Sequence, residues 1–299
     1  MIKPAIDLAQ ITGLLHDLFD QPPTAIQPIG SGQIARVFSF QTTGQAYVIR
    51  FVTGEHAPSL AKDQFIADRL APTGIPVPPV THTGTFNEFH FAIAPKYPGV
   101  QLDQLEKSDY LNLAPAMIEN LDQIHQVDIR DTQNYGYFDG YGIGPSATWP
   151  EYLLTAKWNP KYDDSFLDRV FFDHVYDQMN ARLQYCPSER YLVHADYGWG
   201  NVLAEDGKIT AVLDWANALF GDFLYDVAWL DLGSPELDLR ARFKRYYQEQ
   251  NRQIENYEQR IVCYQCHVSL EAQLWYATSD QPKTFEWMRD RTLLLLNRD

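Results

Sequence analysis

The chain has 299 residues, 45% hydrophobic and 21% charged, a globular composition that excludes a disordered or fibrous chain. With 24 Lys and Arg against 39 Asp and Glu, its net charge of −15 repels a phosphate backbone and argues against a nucleic-acid partner. Such a surface suits a cationic small molecule, although solubility alone accounts for it.

Three cysteines make no disulfide framework and point to a reducing compartment. The N-terminal stretch carries Asp7, His16, Asp17 and Asp20, with neither the basic region nor the apolar core of a signal peptide. No uncharged apolar run is long enough to span a bilayer. The expectation is a cytoplasmic protein without membrane association, monomeric or homodimeric.

In chain order, Ile11, Leu14, Leu15 and Leu18 fall at helical spacing. Residues 35–41 and 45–52 are β-branched and aromatic, and the Thr42-Thr43-Gly44 loop between them predicts a hairpin. Residues 62–70 read as a helix that ends before Pro72; the Pro-rich run 74–79 must be extended. Residues 89–94 read as a further strand. Pro95, Pro98 and Gly99 then mark a boundary, dividing the chain into 1–97 and 98–299. The rest reads as helix over 108–126, 149–156, 165–184 and most of 235–298, interrupted by a β island at 191–215. A β-rich unit followed by a helical one predicts a ligand cleft between them.

The island carries the chemistry. His194-Ala195-Asp196-Tyr197-Gly198-Trp199-Gly200-Asn201 precedes two short strands around Asp206-Gly207, a strong hairpin signal. A two-residue turn pairs Glu205 with Lys208 and, counted outward, Asn201 with Val212, which puts Asp214 on the face of Asn201. An amide oxygen and a carboxylate at one hairpin end suit Mg²⁺, and Asp196 on the entering loop suits a proton acceptor. Taken singly, each of these residues reads as a turn cap; together their spacing favours a site.

HADYGWGN followed by LDW resembles the catalytic and metal-binding loops of the aminoglycoside phosphotransferase family, a branch of the protein-kinase-like fold. The resemblance is densest over 190–230, recurs at 36–50 and 142–152, and favours the branch that acts on hygromycin B. It implies an α+β, bilobal fold with a β-rich N-terminal lobe and a mainly helical C-terminal lobe. It also implies ATP (or GTP) and Mg²⁺ as cofactors, with a hydroxyl of an aminoglycoside or aminocyclitol as acceptor.

By the same resemblance, Asp196 is the catalytic base, Asn201 and Asp214 are the metal ligands, and His194 and Asp226 support the loop. Gly30, Ser31 and Gly32 stand where a glycine-rich phosphate loop would lie. Arg50 takes the place of the phosphate-binding lysine, as in the hygromycin branch, and Asp63 that of its acidic helix partner. The backbone of Ala94 and Lys96, in the segment 93–97, falls at the adenine-binding hinge. For the acceptor the expected residues are Trp199, Trp229 and Asp231, with Glu236 and Asp238 nearby, or else these acids form a solvated loop. Gly233 and Glu236 replace tryptophans of the hygromycin branch, a departure at the acceptor side.

Two other readings share these features: a kinase of choline, homoserine or an amino sugar, and a nucleotide-binding module without turnover. A protein kinase is disfavoured, because Gly198 replaces the usual lysine and too few residues separate Asp214 from Asp226 for an activation segment. Cys263-Tyr264-Gln265-Cys266-His267 matches a haem-attachment pattern. Without an export signal or a second cysteine pair it reads instead as a packed helix face.

Overall fold

In the computed structural model, which describes residues 4–30 and 34–297, Asp7 opens α1 (Leu8–Leu18) with a reciprocal cap to Gln10. Strands β1 (Thr24–Pro28), β2 (Arg36–Thr42), β3 (Gln45–Val52), β4 (His82–Phe86) and β5 (Phe89–Pro95) form an antiparallel sheet in the order β1-β2-β3-β5-β4. The outer strands β1 and β4 are half-exposed and polar, so no apolar alternation announces them. Thr42 pairs with Gln45, so the turn is Thr43-Gly44 alone, one residue shorter than expected. Both have positive φ, 53° and 77°, the hand that matches strand twist.

Alternation along β3 sets two environments. Ile49 and Phe51 join Phe38, Phe40, Phe91 and Ile93 in a core sealed by Ile11, Leu14 and Leu15 of α1. Val52 packs instead with Leu60 of α2 (Ala57–Leu70). Arg50, two residues from Val52, therefore shares the α2 face. This helix starts before residue 62 because Pro58 is tolerated in its first turn.

Next come β6 (Val100–Gln101), α3 (Lys107–His125), β7 (Gly136–Tyr137), α4 (Trp149–Leu153), α5 (Arg169–Arg182) and β8 (Tyr191–Val193). The hairpin β9 (Val202–Glu205) and β10 (Lys208–Val212) is followed by β11 (Leu219–Gly221). Helices α6 (Leu224–Gly233), α7 (Leu239–Glu249), α8 (Tyr257–Thr278) and α9 (Pro282–Leu296) complete the chain.

Two units result. One extends to Leu105 and includes Asp139–Gly142 and Trp199–Ala216; the other holds Glu106–Phe138, Ile143–Gly198 and Asn217 onward. This differs from a contiguous division at residue 97, because β9 pairs with β6 in a sheet of order β10-β9-β6. Gly99 permits that approach: at φ +111° a Cβ would stand 2.6 Å from Thr210 Oγ1 and 2.8 Å from the Ala204 carbonyl oxygen.

The hairpin register also differs from the expected one. Lys208 faces Glu205, but Val212 faces Val202 rather than Asn201. Thr210 is an extra, bulged residue whose hydroxyl donates to the Pro98 carbonyl at 2.6 Å.

In the second unit β7, β11 and β8 form a sheet, and α8 is buried among α5, α6 and α9. α6, which periodicity did not flag, is buried almost all round and so shows no amphipathic stripe. Asp222, fully buried, accepts two bonds from Arg260, at 2.7 and 2.6 Å, and one from the Tyr264 hydroxyl. Among the described residues, no helix is long and apolar enough to cross a membrane.

Cys263, Cys266 and His267 all lie in the buried part of α8. The His267 ring hydrogen-bonds the Tyr225 hydroxyl at 2.9 Å through Nδ1, and burial pushes its pKa down to about 3. Between about pH 6.5 and pH 3 the unfolded chain therefore binds one more proton at this site than the folded chain. Stability should fall with decreasing pH through that window, with a slope of about 1.4 kcal/mol per pH unit from this residue. His267→Gln should flatten the acid limb of urea-derived stability by that slope; an unchanged limb would refute the assignment.

Candidate active site

In the first unit, β3 and α2 bring opposite charges together. Arg50 pairs with Asp63, and its Nη1 lies 3.7 Å from Asp214 Oδ1. Burial pushes the Asp63 carboxyl up, opposed by Arg50 and by the backbone N–H of Trp215. Burial works against the Arg50 charge, yet Asp63 and Asp214 together raise its pKa. Lys62, the neighbour of Asp63, is buried and donates to the Ala216 carbonyl at 2.9 Å. Burial lowers its pKa to about 8. α2 thus grips the segment after Asp214 at two points.

Asp214 is exposed and adopts φ 58°, a left-handed conformation costly for a non-glycine residue. The Leu213 N–H donates to the Asn201 carbonyl at 2.7 Å, which closes the open end of the hairpin despite the shifted register. Asn201 and Asp214 stay in this unit and offer hard oxygen donors of the kind Mg²⁺ takes. Trp199, at φ 35°, begins the short turn into β9, and Gln101 Nε2 holds the next carbonyl, that of Gly200, at 2.8 Å.

Gly30 has φ 70°; Ser31 and Gly32 lie outside the described residues. Ala94 pairs with Val48 across β3 and β5. The Lys96 N–H donates to the Ala46 carbonyl at 2.9 Å.

In the second unit, buried Asp226 accepts from the N–H groups of His194, at 3.0 Å, and Ala195, at 2.7 Å. His125 Nε2 lies 2.9 Å from the same carboxylate. The Asp196 N–H donates to His194 Nδ1 at 3.2 Å. Ala195 takes φ 60°, and Gly198 takes φ 111° with Leu230 Cδ2 only 3.1 Å from where a Cβ would stand. Tyr197, fully buried, donates to Asn120 at 2.9 Å. The loop is held on both sides of Asp196, whose Oδ2 accepts from Asn217 Nδ2 at 3.1 Å.

Two tyrosines feel this carboxylate, and Glu271 acts on the first of them. Burial raises the Tyr137 hydroxyl, with Glu271 and Asp196 adding to the effect. Burial likewise raises Tyr276, which also feels Asp196, and it raises the Glu271 carboxyl. Trp229 is half-buried on α6. Asp231, expected at the acceptor, is buried and accepts from Gln265 of α8 at 2.9 Å. That face of α6 packs inward. Asp238 is exposed; the side chain of Glu236 lies outside the described residues.

Residues 25–260 match the model of the APH phosphotransferase enzyme family. The chain belongs to that family. This phosphotransferase is a small-molecule kinase with a kinase-like fold. It is 29% identical over 287 residues to hygromycin-B 4-O-kinase of Escherichia coli, covering 94% of this chain and 82% of that one. It is also 26% identical over 231 residues to acyl-CoA dehydrogenase family member 11 of Gallus gallus, covering 71% of this chain but 28% of that one.

The crystal structure of aminoglycoside phosphotransferase APH(4)-Ia superposes with a TM-score of 0.86 at 26% identity, over 97% of this phosphotransferase and 99% of that chain. A thermostable mutant of APH(4)-Ia, in ternary complex with AMP-PNP and hygromycin B, superposes with a TM-score of 0.85 at 26% identity, over 96% and 98%.

Sequence reasoning missed Lys62, Asn217, Tyr137, Glu271 and His125. Lys62 alone left a local signal, a lysine beside Asp63 in an otherwise apolar helix stripe. The others are joined to the Asp196 loop only through the fold.

Proposed function

We propose that this enzyme transfers the γ-phosphoryl group of ATP to a hydroxyl of an aminated acceptor of the aminoglycoside or aminocyclitol type, such as hygromycin B. The observation that carries this reading is the Asp196 loop, anchored by Asp226, with Asn217 donating to the Asp196 carboxylate. The likeness to hygromycin-B 4-O-kinase and to the ternary complex with AMP-PNP and hygromycin B supports the acceptor class.

Asp196 positions the acceptor hydroxyl for in-line attack. As the new P–O bond forms and the bond between the β- and γ-phosphates breaks, the hydroxyl proton passes late to the Asp196 carboxylate and ADP leaves. Arg50, held by Asp63, meets the α- and β-phosphates with its planar fork. Asn201 and Asp214 would hold Mg²⁺, which when bound neutralises phosphate charge. Glu271 meets an ammonium group of the acceptor.

The test is ADP release with ATP and Mg²⁺ against hygromycin B, other aminoglycosides, a macrolide, choline and homoserine. Stimulation by an aminoglycoside is the expected result. Stimulation by choline or homoserine alone would replace the acceptor class, and silence across the panel despite Mg·ATP binding would overturn turnover of all these acceptors. With the active acceptor, Glu271→Gln should raise KM about 10-fold with kcat nearly unchanged, the loss of one charge-assisted contact. An unchanged KM would remove Glu271 from the acceptor site.

A further inference from the structure

Away from the Asp196 loop, two thiols face each other. Cys186 ends the short turn Leu183–Tyr185 that follows α5 and is half-buried. Cys263, on α8, is fully buried. Their sulfurs lie 3.7 Å apart, although the residues are 77 positions apart in the chain. The Cys263 sulfur lies 3.6 Å from the Met179 carbonyl oxygen and the Cys186 sulfur 3.9 Å from that of Arg182, so both thiols are seated against the end of α5.

We propose that Cys186 and Cys263 form a redox-active dithiol that a hydroperoxide converts to an intramolecular disulfide.

Cys186 is the attacking thiol, since it alone of the pair reaches solvent. The hydrogen bond with Cys263 lowers its pKa, helped by the Tyr264 hydroxyl. The same hydrogen bond, together with burial, raises Cys263. Of the two, Cys186 gives up its proton more readily, and its thiolate is the nucleophile.

The Cys186 thiolate attacks one peroxide oxygen. The O–O bond breaks, hydroxide leaves and takes up a proton, and Cys186 becomes a sulfenic acid. The Cys263 sulfur then attacks the Cys186 sulfur. The S–S bond forms, the S–O bond breaks, and the hydroxyl leaves as water with the Cys263 proton. With hydrogen peroxide, two thiols are oxidised and one peroxide is reduced to two waters. Forming the bond brings the sulfurs from 3.7 Å to about 2 Å. The bond would tie the lead-in to β8, and so the strand that enters the Asp196 loop, to α8.

The experiment treats the full chain with hydrogen peroxide, quenches with an alkylating agent, and maps peptides without reduction. The expected result is a single Cys186–Cys263 linked peptide, a mass loss of about 2 Da, and reversal by dithiothreitol. Cys266→Ser should keep the link, and Cys186→Ser should abolish it. A link through Cys266, over-oxidation of Cys186 with Cys263 still a thiol, or no loss of thiols in the parent chain would each overturn the proposal.

Discussion

Asp196→Asn is expected to lower phosphoryl transfer by about 10²–10⁴-fold, the usual contribution of a positioned general base. The amide is isosteric, and its oxygen still accepts from Asn217, so the loop geometry survives. The melting temperature should stay within about 2 °C of the parent, as for other substitutions that leave the core alone. ATP binding should be unchanged, because the groups proposed to meet the nucleotide are Arg50 and its partners. Acceptor-dependent ADP release gives the rate and calorimetry the affinity. A variant that turns over at the parental rate would remove Asp196 from the chemistry.

The second large effect is structural. Asp226 is fully buried and is the shared acceptor for two backbone N–H groups of the loop and for His125. Asp226→Ala strands these donors in the buried interior. The cost is expected to be about 3–5 kcal/mol, since removing one partner of a buried polar cluster exposes the others to the full desolvation penalty. The melting temperature should drop by on the order of 10 °C. Transfer should be lost in parallel, because Ala195 would no longer be held in its left-handed conformation. Asp226→Asn keeps the shape but turns a donor toward a donor, so it should fall between the two. Thermal melts with activity at a permissive temperature check both effects; an Asp226→Ala protein with parental stability would refute the anchoring role.

Lys62 shows how local chemistry depends on distant packing. The helical stripe in α2 marks the residue as inward-facing, and an inward lysine needs a partner. That partner, the Ala216 carbonyl, lies 154 positions away, and no local pattern names it. The hairpin around Asp206-Gly207 shows the same limit at shorter range. Its turn and first pair were legible from the turn residues, whereas the bulge at Thr210 arises from a bond to Pro98, far upstream. Asp231 is the reverse case, an acid whose place in the segment aligned with the hygromycin branch suggested an acceptor contact and whose carboxylate packs against Gln265 of α8.

By itself the sequence determined the family and the division into β-rich and helical parts. Strand alternation, helical periodicity and two short motifs are local properties, written in neighbouring residues and readable without a fold. Only the tertiary structure decided which groups meet. It set Arg50 against Asp63, Asn217 against Asp196, Asp226 beneath the loop and Cys186 beside Cys263. These contacts join residues far apart in the chain. Their distances and pKa shifts come from packing and burial, which no sequence period encodes.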